Sequence, residues 1–598
     1  AVIQGDSQVR STVRVSGTSV VGGVIGRNEG SITPVVGNSY LRNYASVDAA
    51  GSYAGGIVGL QKGGTVSYTK NYGRVHAADS YAGGIVSRVE AASVVAQSVD
   101  FGNVVADNGI AGGIAASNAG TVMQCAVGQA GNTVSISAKA DYMGAVTAEN
   151  AAGGVVDSCT LDGSNIVLRG TLSLSGSRLL GGLAGSNAGT IQNCTVSAMP
   201  ALSVNTGDLT VGGAAGGNAG AVKNTGVTAS FTGFTEYLNL GGVAGSNTAG
   251  GTLVSCTYSG TITEGTGGSG TGHTIGGIVG DNMGRVESCS VGTVQMSVGG
   301  TWNVNESQDA ATKLLRASHT GGIAGKNEQN AAIVDCTLAT GSDNSVITAV
   351  YGFLGGIVGS NQGTIAGCGG SGTKAMVTSV AAWLSTADAN EGRNAMVAEL
   401  TKTSGLYTAL KGIDEISDSA DAGNNQLRLK LGASAIASSA AGYAGGVAGY
   451  NTPAGLIKDT ASGKWFVYGQ NLNSGSAVGG MIGQNESEQQ NTNLVNCAAT
   501  RFYSYYSGDS ADLDTLKANS GSRSAIGYPG GVIGIQYNTT STDWALTNCV
   551  NYGSVFASRS NDVGGVIARW AGNGGTLENC FNFGALTTNS DAGDSTGG

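Results

Sequence analysis

Proline is nearly absent from this chain, with 4 residues in 598, and histidine is rarer still, with 3. Charged residues make up 11%, less than half of the roughly 25% usual in a soluble domain. Aromatic residues are 6%, and no stretch approaches the roughly 20 consecutive apolar residues of a membrane-spanning helix. Each shortage excludes something. The net charge of -10 is thinly spread, so neither a nucleic-acid footprint nor a polybasic membrane patch is present. The histidines, His76, His273 and His319, stand far apart, and no H-E-x-x-H occurs; the metallopeptidase signature is missing. Nor is there a P-loop, a G-x-S-x-G or a dinucleotide fingerprint. A surface so poor in charge must be covered by Ser, Thr, Asn and Gly, a pattern that suits extracellular β-proteins.

Glycine, by contrast, is abundant, 104 of 598. It has no G-x-y period, which excludes collagen, and 41% hydrophobic residues argue against disorder. The glycines belong to a repeat. Gly355 to Asn361 reads GGIVGSN and runs on as QGTIAGC to Cys368; GGLAGSNAGTIQNC (Gly181 to Cys194), GGIVGDNMGRVESC (Gly276 to Cys289) and GGIAASNAGTVMQC (Gly112 to Cys125) are near-copies. The first glycines fall at Gly22, Gly55, Gly83, Gly112, Gly144 (a degenerate copy), Gly181, Gly212, Gly241, Gly276, Gly321, Gly355, Gly445, Gly479, Gly530 and Gly564. Most intervals are 28 to 37 residues, the period of a solenoid.

Within a unit, short apolar runs and alternating β-branched residues are bounded by Gly and Asn, which reads as strands. About thirty residues make a coil of three short strands, and successive coils pair in parallel about 4.8 Å apart. The expected fold is therefore all-β: a parallel β-helix, right-handed by the crossover preference, one continuous solenoid over residues 1–598. Fifteen coils would rise roughly 70 Å. No polar capping unit is evident at either end, so the expectation is an excerpt of a longer chain or an end-to-end join. The glycine pair supplies a cramped corner. The Asn at the seventh position (Asn28, Asn118, Asn187, Asn247, Asn282, Asn327, Asn361, Asn451 and Asn485) is expected to stack coil on coil, its amide holding turn backbone. All ten cysteines, Cys125, Cys159, Cys194, Cys256, Cys289, Cys336, Cys368, Cys497, Cys549 and Cys580, are assigned one place in the unit, with Thr225 and Thr460 standing in where Cys is missing. That predicts an inward column of free thiols. Zinc is excluded by the lack of C-x-x-C and of nearby histidines, and a disulfide ladder by the strand spacing.

Three insertions break the period, at 301–316, 375–433 and 501–523, each between the Cys position and the next glycine pair. The first has Ala310, Ala311, Leu314 and Leu315 at helical spacing; the second holds a helix over about 389–403, then Leu427, Leu429 and Leu431 alternating as a returning strand. The third carries Phe502, Tyr503, Tyr505 and Tyr506, candidate ligand-binding aromatics or the cover of an open coil edge. Insertions at one place in a repeat emerge on one face. His273 and His319, each just before a glycine pair, read as a surface pair with no carboxylate beside them.

The motif GGIVGSNQGTIAGC and its copies resemble the GLUG-type repeats of bacterial surface proteins. The resemblance implies a secreted or cell-surface location, in company with adhesin-like chains and the non-catalytic regions of IgA-cleaving metallopeptidases. An aromatic near the Cys, as Phe581 and Phe583 beside Cys580, is common in that pattern, whereas most units here carry Thr, Ala or Ser. The expected function is a non-catalytic scaffold or stalk that binds a host or bacterial surface glycan or protein, or further copies of itself, without catalytic residue, metal or cofactor. The rival expectations are a carbohydrate-active enzyme on the same fold and the non-catalytic region of a larger secreted peptidase.

Overall fold

A computed structural model describes residues 8–10, 13–33, 40–128, 131–139, 142–170, 178–204, 209–234, 238–264, 272–304, 308–338, 345–370, 377, 427–432, 441–472, 475–504, 527–538, 543–558, 562–588 and 595–597. The chain divides into two compact units, the first comprising 1–231, 236–259 and 278–280 and the second 232–235, 260–277 and 281–598. Each is a parallel β-solenoid.

A representative coil of the first unit contains five short strands: Tyr81–Gly83, Val86–Val89, Ser93–Ala96, Val99–Asp100 and Val104–Ala106. Three were expected. Two sharp bends account for the difference. One is the glycine pair, which separates the first two strands. The other is a residue in the left-handed region immediately before the Cys position: Gln97 in this coil, and Gln124, Ser158, Asn193, Asn224 and Ser255 after it, with φ between 46° and 55°.

The glycine markers pair in register. In the first unit Gly22, Gly55, Gly83, Gly112, Gly144, Gly181, Gly212 and Gly241 are successive partners. In the second the series is Gly276, Gly321, Gly355, Gly445, Gly479, Gly530, Gly564 and Gly597; Gly597 is a rung that the motif did not reveal. The need for glycine comes from close approach. A Cβ on Gly355 would lie 1.8 Å from the Val358 carbonyl oxygen of its own turn, and one on Gly356 would lie 2.1 Å from the Gly446 oxygen of the next coil.

The asparagines stack as expected, and more of them than the motif suggested. Nδ2 of each donates to Oδ1 of the next along Asn118, Asn150, Asn187, Asn218 and Asn247 at 2.7–2.8 Å. In the second unit the ladder runs Asn282, Asn327, Asn361, Asn451, Asn485 and ends on Gln536, at 2.7–2.9 Å. All these amides are fully buried. A second ladder lies two residues after the Cys position: Asn43 to Asn71 to Asp100 in the first unit, Asn496 to Asn551 to Asn582 in the second. Beside it the aromatics that follow also stack, Tyr44 on Tyr72 on Phe101 with centroids 4.7 and 4.9 Å apart, and Tyr552 on Phe583 at 5.5 Å.

The long gaps do not disturb the register. Arg428–Leu431 pairs in register with Val346–Ala349, and Leu427, Leu429 and Leu431 point inward as their alternation implies. The helix expected over 389–403 lies outside the described residues.

Candidate binding face on the second unit

The glycine corner also creates a feature on the outer surface. The strand before the pair in one coil and the strand after it in the next meet at an inside angle. The side chain two residues before the first glycine then touches the one five residues after the following coil's first glycine. In the second unit Nδ1 of His319 lies 2.8 Å from the Ser360 hydroxyl, the Phe353 ring stacks 4.9 Å from Tyr450, and the Tyr528 hydroxyl meets Arg569. The floor must be small. A Cβ on Gly359 would sit 2.5 Å from the Thr320 amide, and one on Gly449 the same distance from that of Leu354, which explains the fifth residue of GGIVG.

The first insertion folds down into this corner. Its base is tied by the Gly299 and Gly300 amides, which donate to Oε2 of Glu264 at 3.0 and 3.4 Å, and by the Thr301 amide, which donates to Ser318 Oγ at 2.8 Å. The sequence pattern correctly indicated a helix: it spans Ala310–Arg316, with Asp309 accepting from the Thr312 amide as N-cap. Trp302 stands edge-on to Phe353 and Tyr443 with centroids 5.6 and 5.1 Å away. Lys313 is fully buried and ion-paired with Glu486, which also accepts from the Tyr450 hydroxyl at 2.6 Å and from Gln484 Nε2 at 2.5 Å. Burial first, then the charge of Glu486, pushes the Tyr450 hydroxyl well above its usual pKa. Leu314 packs on the aromatic cluster while Leu315 is exposed.

The histidines correct their expectation. Neither His273 nor His319 is on the surface, because the insertion covers both, and His273 does have a carboxylate, Nδ1 lying 2.8 Å from Glu264 Oε1. The Leu314 carbonyl accepts from Nε2 of His319 at 2.9 Å, so Nδ1 must accept from Ser360. Burial, reinforced by Lys326, lowers the His319 pKa to about 3: the ring is neutral. His76, in the first unit, lies between Asp48 and Asp107 at 3.2 and 2.8 Å.

The candidate aromatics of the third insertion fare differently. Phe502 is a core residue: strand alternation turns it inward, where its ring occupies the space that a Cβ on Gly527 would need. It cannot be part of an exposed platform. Tyr503 pairs through its backbone with Gln470 and Ser558, its side chain lying outside the described residues, as do Tyr505 and Tyr506 altogether.

The ten cysteines are free, nine buried and Cys580 partly so. Cys125, Cys159, Cys194 and Cys256 in the first unit, with Thr225 between the last two, stand one per coil. Thiol and hydroxyl play the same part there: Sγ of Cys194 and Oγ1 of Thr225 each face the carbonyl two residues back, at 3.1 and 2.9 Å. Cys289, Cys336, Cys368 and Thr460 continue the pattern in the second. Cys497 breaks it. Thr460 pairs with Leu494, and Leu494 with Cys549, so Leu494 holds the column's place and Cys497 lies three residues further on. The left-handed residue identifies the frame: Asn493, Asn548 and Asn579 have φ of 56°, 56° and 52°, and the second asparagine, Asn496, misaligns the motif. Burial pushes the Cys497 thiol up to about 12.

Among the described residues, no group of three or more His, Cys, Asp or Glu is placed to hold a metal ion, and no helix is long and apolar enough to cross a membrane. The model of the GLUG motif matches residues 176–201, a stretch that includes Gly181, Asn187 and Cys194. No curated protein and no solved structure matches the chain. The matched stretch is one turn of a pattern that recurs in register through both units, and the chain is accordingly a GLUG-type repeat protein built as a parallel β-solenoid.

Proposed function

We propose that the chain is a non-catalytic scaffold of a secreted or cell-surface bacterial protein, and that its second unit displays insertions that bind a glycan or protein on another surface. The observation that carries this reading is the register. All three insertions lie between paired rungs, Gly276 with Gly321, Gly355 with Gly445 and Gly479 with Gly530, in alternate coils; the first and third follow equivalent strands, Ser290–Val298 and Ala499–Ser504, while the second precedes the matching strand, Arg428–Gly432. Alternate coils are about 10 Å apart, close enough for the three to act as one face. An enzyme on this fold would need converging carboxylates available for chemistry. Glu264 and Glu486, two buried acids of this face, are already engaged by His273 and two amides, and by Lys313 and Tyr450.

Replacing 377–426 and 507–523 by short Gly-Ser linkers tests the proposal. The trimmed chain should keep its β-sheet circular dichroism and lose adhesion to immobilised host or bacterial surfaces. Adhesion equal to that of the parent would overturn the assignment.

A further inference from the structure

The inside corner exists in the first unit as well, and there no described insertion fills it. One wall is Tyr53, Tyr81 and Ile110 on successive rungs, with the two tyrosine rings stacked 5.4 Å apart. The other is Leu60, Arg88, Ser117 and Glu149, again in register. The floor is small, Gly59, Ser87, Ala116 and Ala148. Cross-wall contact follows the rule of the second unit, Arg88 Nη1 lying 3.5 Å from the Tyr53 hydroxyl, and Ser117 Oγ donates to Glu149 Oε2 at 2.8 Å. Only the cover differs. Phe353, Tyr443, Tyr450 and Tyr528 are at most 5% exposed beneath Trp302, Lys313 and Leu314, whereas Tyr53, Tyr81, Arg88 and Glu149 are half-buried. The connections that precede these strands, from Ala49 to Tyr53 and from Ala77 to Tyr81, are too short to fold back over them.

We propose that this corner of the first unit is a peptide-binding groove. Its occupant is a segment of a partner protein that sets an aromatic side chain against Tyr53 and Tyr81 and a lysine or arginine against Glu149, as residues 299–318 use Trp302 and Lys313 on the second unit. Tyr81 and Glu149 are two rungs apart, about 10 Å, a span that a few residues of peptide cover. Polypeptide is favoured over glycan because polypeptide fills the matching corner, and because one acid, Glu149, stands two rungs along from the paired tyrosine rings, a spacing that receives an aromatic and a cation from one segment. Glu149 stands two residues earlier in its coil than Glu486, so the cation would sit higher on the wall.

Panning a phage-displayed library of random 12-residue peptides against the full chain tests this. The selected peptides should pair Trp, Tyr or Phe with Lys or Arg. A synthetic peptide from the selection, followed by fluorescence anisotropy, should bind the Tyr53→Ser, Tyr81→Ser double variant at least tenfold more weakly and the Glu149→Gln variant about fivefold more weakly. Added salt should weaken binding to the parent but not to Glu149→Gln. That conservative variant keeps the test decisive where the tyrosine changes impair folding. The proposal is overturned by selected peptides lacking the aromatic–basic pair, by equal affinity for parent and Glu149→Gln, by binding lost only on Tyr443→Ser, or by oligosaccharides rather than peptides occupying the corner.

Discussion

Asn361 sits in the middle of the second unit's longer asparagine ladder, and changing it tests whether that ladder or apolar packing fixes the coils. Its Oδ1 accepts from Asn327 at 2.8 Å and its Nδ2 donates to Asn451 at 2.9 Å. Asn361→Ala would leave a buried donor on one side and a buried acceptor on the other. Asn327 keeps a weaker bond to the Thr364 carbonyl at 3.4 Å, so the donor is partly compensated. With each unsatisfied group costing roughly 1–3 kcal/mol, the loss should be about 2–5 kcal/mol, a large share of the 5–15 kcal/mol of an ordinary domain. In a repeat architecture stability is a sum over neighbouring interfaces, so the denaturant transition should also broaden or split. Asn361→Asp separates the explanations further. A carboxylate can accept from Asn327 but cannot donate to Asn451, and it would be charged and buried. Its folded pKa should therefore lie above the unfolded value near 4, so its stability relative to wild type should fall as pH rises above 4 and recover on acidification. Urea unfolding followed by circular dichroism at pH 4 and pH 7 measures both variants. Midpoints within error of wild type for Asn361→Ala, or an Asp variant indifferent to pH, would refute the reasoning.

Three further predictions follow from the same geometry. His319 is neutral in the fold, so as pH drops below about 6.5 the unfolded chain gains a proton that the folded one refuses; the loss should reach about 2 kcal/mol by pH 5, and His319→Gln should remove that part of the slope in denaturant melts from pH 7 to 4. Gly355→Ala places a Cβ 1.8 Å from a backbone oxygen, whereas at Gly63 the nearest atom is 3.5 Å away; the first change should cost about 3 kcal/mol and Gly63→Ala should leave the thermal midpoint nearly unmoved. Leu494, not Cys497, holds the column's place, so Leu494→Ala should cost about 2–5 kcal/mol, while Leu494→Cys, which restores the common residue, should cost clearly less in the same assay.

How much of this was legible depended on whether a residue answers to its neighbours in the chain or to the next coil. The glycine pairs and the seventh-position asparagines declared themselves because in-register pairing favours the same residue at the same place in most turns. Asn150 and Asn218 belong to the ladder but escaped the motif, Asn150 because its unit, GAVTAEN, is degenerate at the glycine pair and Asn218 because GGAAGGN replaces the usual Ser with Gly. Cys497 was misplaced because two asparagines, Asn493 and Asn496, offer two frames, and only backbone conformation chooses between them. The burial of His273, His319 and Lys313 could not be read locally at all: each depends on a chain segment folding across coils, with Glu486 lying 173 residues from its lysine. Phe502 is neither a ligand platform nor an edge cover for a related reason: an aromatic beside an insertion suggests both, whereas alternation within Ala499–Ser504 turns it inward.

The direction of the ladders suggests how such a repeat combines a rigid interior with variable chemistry outside. The coil-to-coil amide bonds described above for the two ladders all run the same way, from Nδ2 of one coil to the oxygen of the next. An acceptor-only residue is then tolerable only at a final rung, and the sole acid in either ladder, Asp100, is the final rung of its series, followed in register by Val127. Burial raises its pKa well above the carboxylate range, against the hydrogen bonds from Asn71 and the Gly102 amide. The glycine pair and most of the asparagines are thus fixed by the next coil, although Gln61 and Val89 take the asparagine's place in two coils of the first unit. The corner positions answer to no such rule. Two residues before the glycine pair the chain carries Tyr53, Ile110, His319, Phe353, Ala477 or Asp562 in otherwise equivalent coils. What the corner recognises can therefore be rewritten one coil at a time while the interior stays constant, and a coil can even supply its own occupant, as the segment bearing Trp302 and Lys313 does.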